Sequence, residues 1–190
     1  TGADSEAFYA ANRFSEILFN LIAGGALGSA FIPTFTGLLV KKDHEGAWKL
    51  ASAIINWVLL ILTVICILAM IFSQQVVHYI LAPGFSSVSM EKELLTAQLL
   101  RIQLPSAIIF GLSGLVMGIL NAHQSFFISS LAPGMYQLGW IFGALFLAPR
   151  YGVYGLSYGI LIGASLHLLV QIPRLLKLPH IRYQDRKSVV

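Results

Sequence analysis

Along the chain, apolar stretches of membrane-crossing length alternate with short polar breaks, a pattern that predicts an all-α, polytopic transmembrane helix bundle. Each crossing of the hydrocarbon core takes ~20 mostly apolar residues. On that measure about five spans are expected, at 7–40, 47–72, 97–120, 126–147 and 153–176. The breaks between them are Lys41-Lys42-Asp43-His44-Glu45-Gly46, the stretch from Ser73 to Leu95, Asn121-Ala122-His123-Gln124-Ser125, and Arg150-Tyr151-Gly152. Residues 1–178 would form the bundle, and 179–190 a basic tail or a linker to more chain.

The spans differ in character. Trp57 through Phe72 holds no charge and is the clearest transmembrane segment. Ser73 to Leu95 reads as an interfacial loop, in which Gln75 to Leu81 forms a short helix ended by Pro83-Gly84. Gly155, Gly159 and Gly163 recur every four residues in the last span, a ridge that favours close helix packing. Pro133-Gly134 predicts a kink in the fourth span. The first span is longer than a bilayer requires at ~1.5 Å per residue. Gly24, Gly25, Gly28 and Pro33 in its second half predict a bend or break, the alternative being that the glycines only admit a neighbouring helix.

Polar positions in that first span follow a helical period. At ~100° per residue, Glu6, Tyr9, Arg13, Glu16, Asn20 and Gly24 share a sector of roughly 80°. An ionisable group at membrane depth costs at least ~2.5 kcal/mol on insertion scales, so such groups usually face a bundle interior or a watery cavity. Arg13 and Glu16, three residues apart, can meet on one face. Two readings follow: an internal salt bridge used for packing, or a cavity wall. In the second, Arg13 offers its fork to a phosphate or carboxylate, and Glu16 binds a coupling cation or proton. Arg101, one turn before Pro105, either contacts substrate or snorkels to headgroups. His167 and Gln171 stand one turn apart and are suited to interhelical hydrogen bonding, with a proton relay as the other reading.

Composition agrees with the periodicity. Apolar residues make up 57% and charged residues 11% of the chain, against the ~25% charged of soluble domains. The lone Cys66 excludes an internal disulfide and a cysteine-based metal site, and reads as a small core or lipid-facing residue. His78 has no second His, Cys or carboxylate at ligand spacing and reads as an interfacial side chain, so no metal site is expected. The net charge of +4 does not indicate nucleic acid, because the basic residues cluster beside spans rather than among stacking aromatics. One side of the predicted topology carries Lys41, Lys42, Lys49, Arg174, Lys177, Arg182, Arg186 and Lys187; the other carries Lys92 and Arg150. The positive-inside rule then puts the amino end outside and the carboxyl end in the cytoplasm. Thr1-Gly2-Ala3-Asp4 lacks an initiator Met and a signal-peptide pattern, so the numbering is expected to begin partway through a longer protein. No nucleophile elbow, Walker loop or dinucleotide loop is present, and an enzyme is not expected.

Several phrases carry a resemblance: Glu6-Ala7-Phe8-Tyr9-Ala10-Ala11, Gly25 to Pro33, Ala82-Pro83-Gly84-Phe85, Leu99-Leu100-Arg101-Ile102 before Pro105, Ile119-Leu120-Asn121, Leu131-Ala132-Pro133 and Leu168 to Pro173. In order and spacing they resemble the MurJ/MviN family of bacterial lipid II flippases, within the multidrug, oligosaccharidyl-lipid and polysaccharide exporter superfamily. The resemblance implies fourteen spans in two lobes around a central cavity, in the bacterial cytoplasmic membrane, moving a lipid-linked peptidoglycan precursor outward by alternating access. It makes this chain the second to sixth helices, with membrane lipids, the precursor and a second lobe as partners. Glu6 stands where the family usually has an aspartate, and Arg13 on a basic position. Where typical members carry an arginine pair and then a glutamate, this chain has Phe19, Asn20 and Gly24. The alternatives are an exporter of another polyprenyl-linked glycan or amphiphile, and a membrane scaffold whose polar stripe docks a partner protein.

Overall fold

A computed structural model of the chain describes residues 2–20, 30–85 and 89–178, and these are helical throughout apart from turns. In chain order the helices are α1 (Gly2–Asn20), α2 (Ile32–Val40), α3 (His44–Ile71), α4 (Ser73–Val76) with a π-helical turn at Val77–Leu81, and α5 (Met90–Ala122). Then come α6 (Phe126–Phe142), continued by a π-helical turn at Gly143–Leu147 and by α7 (Ala148–Tyr151), followed by α8 (Val153–Leu169) and α9 (Ile172–Leu175).

Four stretches are long and apolar enough to cross a membrane: His44–Ile71, Met90–Ala122, Phe126–Tyr151 and Val153–Leu175. They correspond to the second to fifth expected spans. Of the expected first span, α1 and α2 are described, and Gly24, Gly25 and Gly28 lie outside the described residues. Pro33 is in the first turn of α2, where a proline costs no helical hydrogen bond. Pro133 and Gly134 sit inside α6, whose helical run continues through them. The tail at 179–190 lies outside the described residues.

One boundary differs from expectation. The polar run predicts a loop reaching Leu95 and a third span from 97, whereas α5 begins at Met90. Ser89 caps it, its Oγ accepting from the Lys92 N–H at 3.4 Å, and Glu91 and Glu93 occupy the first turn. Acidic side chains there complement the exposed N–H groups, so the polar run Glu91-Lys92-Glu93 starts a helix instead of interrupting one. A similar device starts α3: Asp43 Oδ1 accepts from the Gly46 N–H at 2.9 Å.

The central post is α5, which packs against α1, α3 and α8. Its buried residues include Leu99, Leu100, Leu104, Leu115, Ile119 and Leu120. Toward one end they join Ala7, Phe8, Ala11 and Leu18 of α1 and Cys66 and Ala69 of α3; toward the other they join Phe31 just before α2, Phe35 within it, and Ala47 and Ala51 of α3. Cys66 is buried, its Sγ 3.5 Å from the Leu104 carbonyl. By contrast Trp57, Leu60, Ile61, Val64, Ile67, Leu68 and Ile71 of α3 are exposed, the surface a span offers to acyl chains.

The glycine ridge of α8 closes on α6. A Cβ built on Gly159 would lie 2.8 Å from the Gly143 Cα, and one on Gly163 would lie 2.6 Å from the Tyr136 carbonyl oxygen. Only glycine allows these backbones to approach so closely. Gly152, at φ +57°, makes the reversal between α7 and α8.

Candidate functional site

The first element to consider is α1, because its two faces differ in kind. Ala7, Phe8, Ala11, Ser15 and Leu18 are buried against the bundle, while Glu6, Tyr9, Arg13, Glu16 and Asn20 are exposed. At ~100° per residue the centres of these two sets lie roughly 170° apart. The polar stripe therefore lies opposite the packed side of α1, although Glu6 reaches Lys92 of α5 and Glu16 is near enough to Tyr136 of α6 to act on it electrostatically. It is either in contact with lipid, at the cost that charges at membrane depth carry, or covered by water and further protein.

Pairing within the stripe is not what spacing alone suggests. Glu16 accepts from the Asn12 amide at 2.6 Å, one turn earlier. Arg13 has no ion pair among the described residues, so its guanidinium is available to an anion from outside the bundle. Asn20 likewise stands exposed at the end of α1.

Glu6 has a different role. Its carboxylate is held by the Lys92 ammonium from the first turn of α5, and that ammonium also lies 4.0 Å from the centre of the Phe85 ring. The pair fastens one end of α1 to α5. Neither residue reveals the other by spacing, since 86 positions separate them.

Arg101 is not brought together with the α1 residues. It stands nine positions after Lys92, so at ~100° per residue it is on the opposite side of α5. Its Nε donates to Ser73 Oγ at 2.7 Å, which ties α5 to the start of α4. Exposed and bonded to a polar segment at a helix end, it has the geometry of a snorkelling arginine.

Behind the stripe, α5 and α8 are joined by buried polar contacts. Gln103 Nε2 donates to Ser157 Oγ at 2.8 Å. Further along, Ser113 Oγ lies 2.6 Å from His167 Nδ1 and accepts from Gln171 Nε2 at 2.7 Å, while Gln171 Nε2 also donates to the His167 carbonyl at 2.8 Å. The Ser113 hydroxyl thus bridges Gln171 and His167, and the expected interhelical role of His167 and Gln171 is met through Ser113, a residue that spacing did not single out.

Comparison with known proteins agrees with this architecture. The family model described as lipid II flippase MurJ matches residues 1–187. A probable lipid II flippase MurJ of Buchnera aphidicola subsp. Schizaphis graminum is 31% identical over 176 residues, covering 92% of this chain and 34% of the relative. The lipid II flippase MurJ of Burkholderia cenocepacia is 30% identical over 178 residues, covering 91% and 34%. Among solved structures, a lipid II flippase MurJ in an inward closed conformation superposes with a TM-score of 0.74 at 29% identity, covering 90% of this chain and 35% of that one. The chain therefore spans about a third of the length of the relatives it matches. Its apolar helices and bacterial relatives place it in a bacterial cytoplasmic membrane. From the joint order of its helices, the extent of the family match and the likeness of fold, this chain belongs to the lipid II flippase MurJ family.

Proposed function

We propose that the full-length protein moves an undecaprenyl-linked peptidoglycan precursor, lipid II, across the cytoplasmic membrane by alternating access, and that the exposed face of α1 is one wall of its path. The observation that carries this reading is the placement of Arg13, Glu16 and Asn20 opposite the buried face of α1. Charges left on an outer surface of one lobe are accounted for if a second lobe, supplied by the rest of the polypeptide, encloses them in a hydrated cavity. In that cavity Arg13 offers a planar fork to the diphosphate of the precursor. Glu16, oriented by Asn12, binds a coupling cation or proton. Helix α1 begins on the outside in this reading, and the end of the bundle bearing Lys41, Lys42 and Arg174 is cytoplasmic. The process is transport and makes or breaks no bond.

A second reading stays within the same class. The family resemblance implies an arginine pair and a glutamate where this chain has Phe19, Asn20 and Gly24. That replacement favours a precursor whose headgroup leans less on arginine, such as another polyprenyl-linked glycan. Growth of a host depleted of its own lipid II flippase separates the two: the full-length protein restores growth if lipid II is a substrate and fails to do so if it is not. Within a rescuing protein, Arg13→Ala and Glu16→Ala each reduce the rescue, whereas a scaffold role leaves it unchanged.

A further inference from the structure

At the end of the bundle that carries Glu6 and Lys92, the segment from Ser73 to Leu81 leads from α3 toward α5 and is tied to α5 by two polar contacts of different kinds. In the first, Arg101 Nε donates to Ser73 Oγ at 2.7 Å. A guanidinium is always charged, so this tie does not respond to pH. In the second, His78 Nδ1 stands 3.4 Å from each oxygen of the Glu93 carboxylate. Histidine is the side chain whose charge changes between about pH 5 and 8. Transport through the α1 face uses neither residue.

The geometry makes this second tie depend on charge. Its length lies beyond the ~2.7–3.2 Å of an ordinary N–H···O hydrogen bond, and it is shared equally between two oxygens, so little of it is a directed bond. A protonated imidazole turns it into an ion pair, and a neutral one leaves a weak polar contact. The Glu93 side chain is 10% exposed and sits in the first turn of α5, where a helix end favours negative charge. His78 is 40% exposed and opens on a shallow pocket of about 240 Å³ lined also by Gln74, Gln75 and Tyr79, so protons reach it from water. Tyr79 meets it in a T-shaped contact with ring centres 4.6 Å apart, which restrains the imidazole.

The turn that bears His78 packs against α1, α4 and α5. Helix α4 carries no charged residue. On α5, Lys92 is engaged with Glu6, Arg101 with Ser73, and Glu91 is exposed. Helix α1 brings Asp4 and Glu6 near its start, and Tyr9, Arg13 and Glu16 further along its exposed face. Carboxylate, ammonium, guanidinium and phenol side chains ordinarily keep one charge state from about pH 5 to 8. What changes at this contact within that window is the imidazole.

We propose that His78 and Glu93 form a proton-operated latch, which ties the π-helical turn at Val77–Leu81 to the first turn of α5 when the imidazole is protonated and releases it when the imidazole is neutral. The added attraction is present at the acid end of the window and is lost as the pH rises. Val77, fully buried, and the Arg101 contact with Ser73 hold the segment in both states, so the latch governs local opening and not the fold. It stands or falls separately from the transport reading.

The test is hydrogen exchange of the full-length protein in detergent, with protection over 73–81 corrected for the intrinsic exchange rate at each pH. In the wild type, protection at about pH 5.5 exceeds that at about pH 8 by roughly two- to fivefold, the size of a partly exposed ion pair. His78→Gln keeps a donor but takes up no proton, and shows equal protection at the two pH values. Glu93→Gln does the same, its thermal midpoint checking its fold; where that midpoint falls, His78→Gln alone decides. Equal protection in the wild type at the two pH values overturns the proposal, as does a pH difference that persists in His78→Gln or in a folded Glu93→Gln.

Discussion

The Glu16 carboxylate is hydrogen-bonded to the Asn12 amide at 2.6 Å, one turn back along α1, and not to Arg13 beside it. Because both residues lie on the outer side of the bundle, Asn12→Ala should change stability by no more than about 0.5 kcal/mol, the usual range for surface substitutions. It should nonetheless lower growth rescue by the full-length protein, though less than Glu16→Ala does, since it frees the carboxylate to turn without removing it. Rescue poorer than that of Glu16→Ala would make Asn12 the working group.

The ion pair between Glu6 and Lys92 joins α1 to α5, with the Lys92 side chain 13% and the Glu6 side chain 65% exposed. A half-exposed pair is screened by water, so a double-mutant cycle should return a coupling of about 0.2–1 kcal/mol. Lys92→Glu alone should lower the melting temperature, and Glu6→Lys with Lys92→Glu should recover most of the loss. A double variant no better than Lys92→Glu would show that the pair does not hold the two helices.

Close approach between α6 and α8 makes a sharper demand. Gly159→Leu must displace the Gly143 backbone, whereas Gly134→Ala meets nothing within 4 Å. The first should cost about 1–3 kcal/mol or more by overpacking, read as a lower thermal midpoint in detergent. The second should be neutral or, by removing a glycine from a helix interior, slightly stabilising. Equal midpoints for the two variants would contradict the packing described.

Ser113→Ala should destabilise by roughly 0.5–2 kcal/mol, because His167 Nδ1 and one Gln171 N–H both lose their partner in a buried place. Ser113→Thr, which keeps the hydroxyl, should be milder. The comparison of thermal midpoints checks it; a Thr variant as destabilised as the Ala variant would assign the effect to volume rather than hydrogen bonding.

What the sequence made legible follows from the range of each interaction. Helix α3 and the ridge of Gly155, Gly159 and Gly163 were readable because hydrophobic length and four-residue spacing are local properties of one helix. The polar stripe of α1 was readable for the same reason, and burial on its opposite face agrees with it. The start of α5 was misplaced by seven residues because charges read as a loop signal when their capping role is ignored. The Asn12 partner of Glu16 stood at a visible four-residue spacing, but charge drew attention to Arg13 instead. Lys92 for Glu6, Ser73 for Arg101, Ser113 for His167 and Glu93 for His78 are contacts between distant segments, which one-dimensional spacing does not encode. They emerge only once α5 is placed at the centre of the bundle.

The claim that the outer face of α1 lines a hydrated path is tested most directly by single cysteines along that helix. In a cysteine-free full-length protein, cells are treated with a membrane-impermeant thiol reagent after placing cysteine in turn at Arg13, Glu16 and Asn20 and at Ala11, Ser15 and Leu18. The account predicts labelling at the first three positions and none at the second three, with labelling at Arg13 reduced when precursor accumulates. Unlabelled cysteines at Arg13, Glu16 and Asn20, or labelling that does not distinguish the two faces, would contradict it.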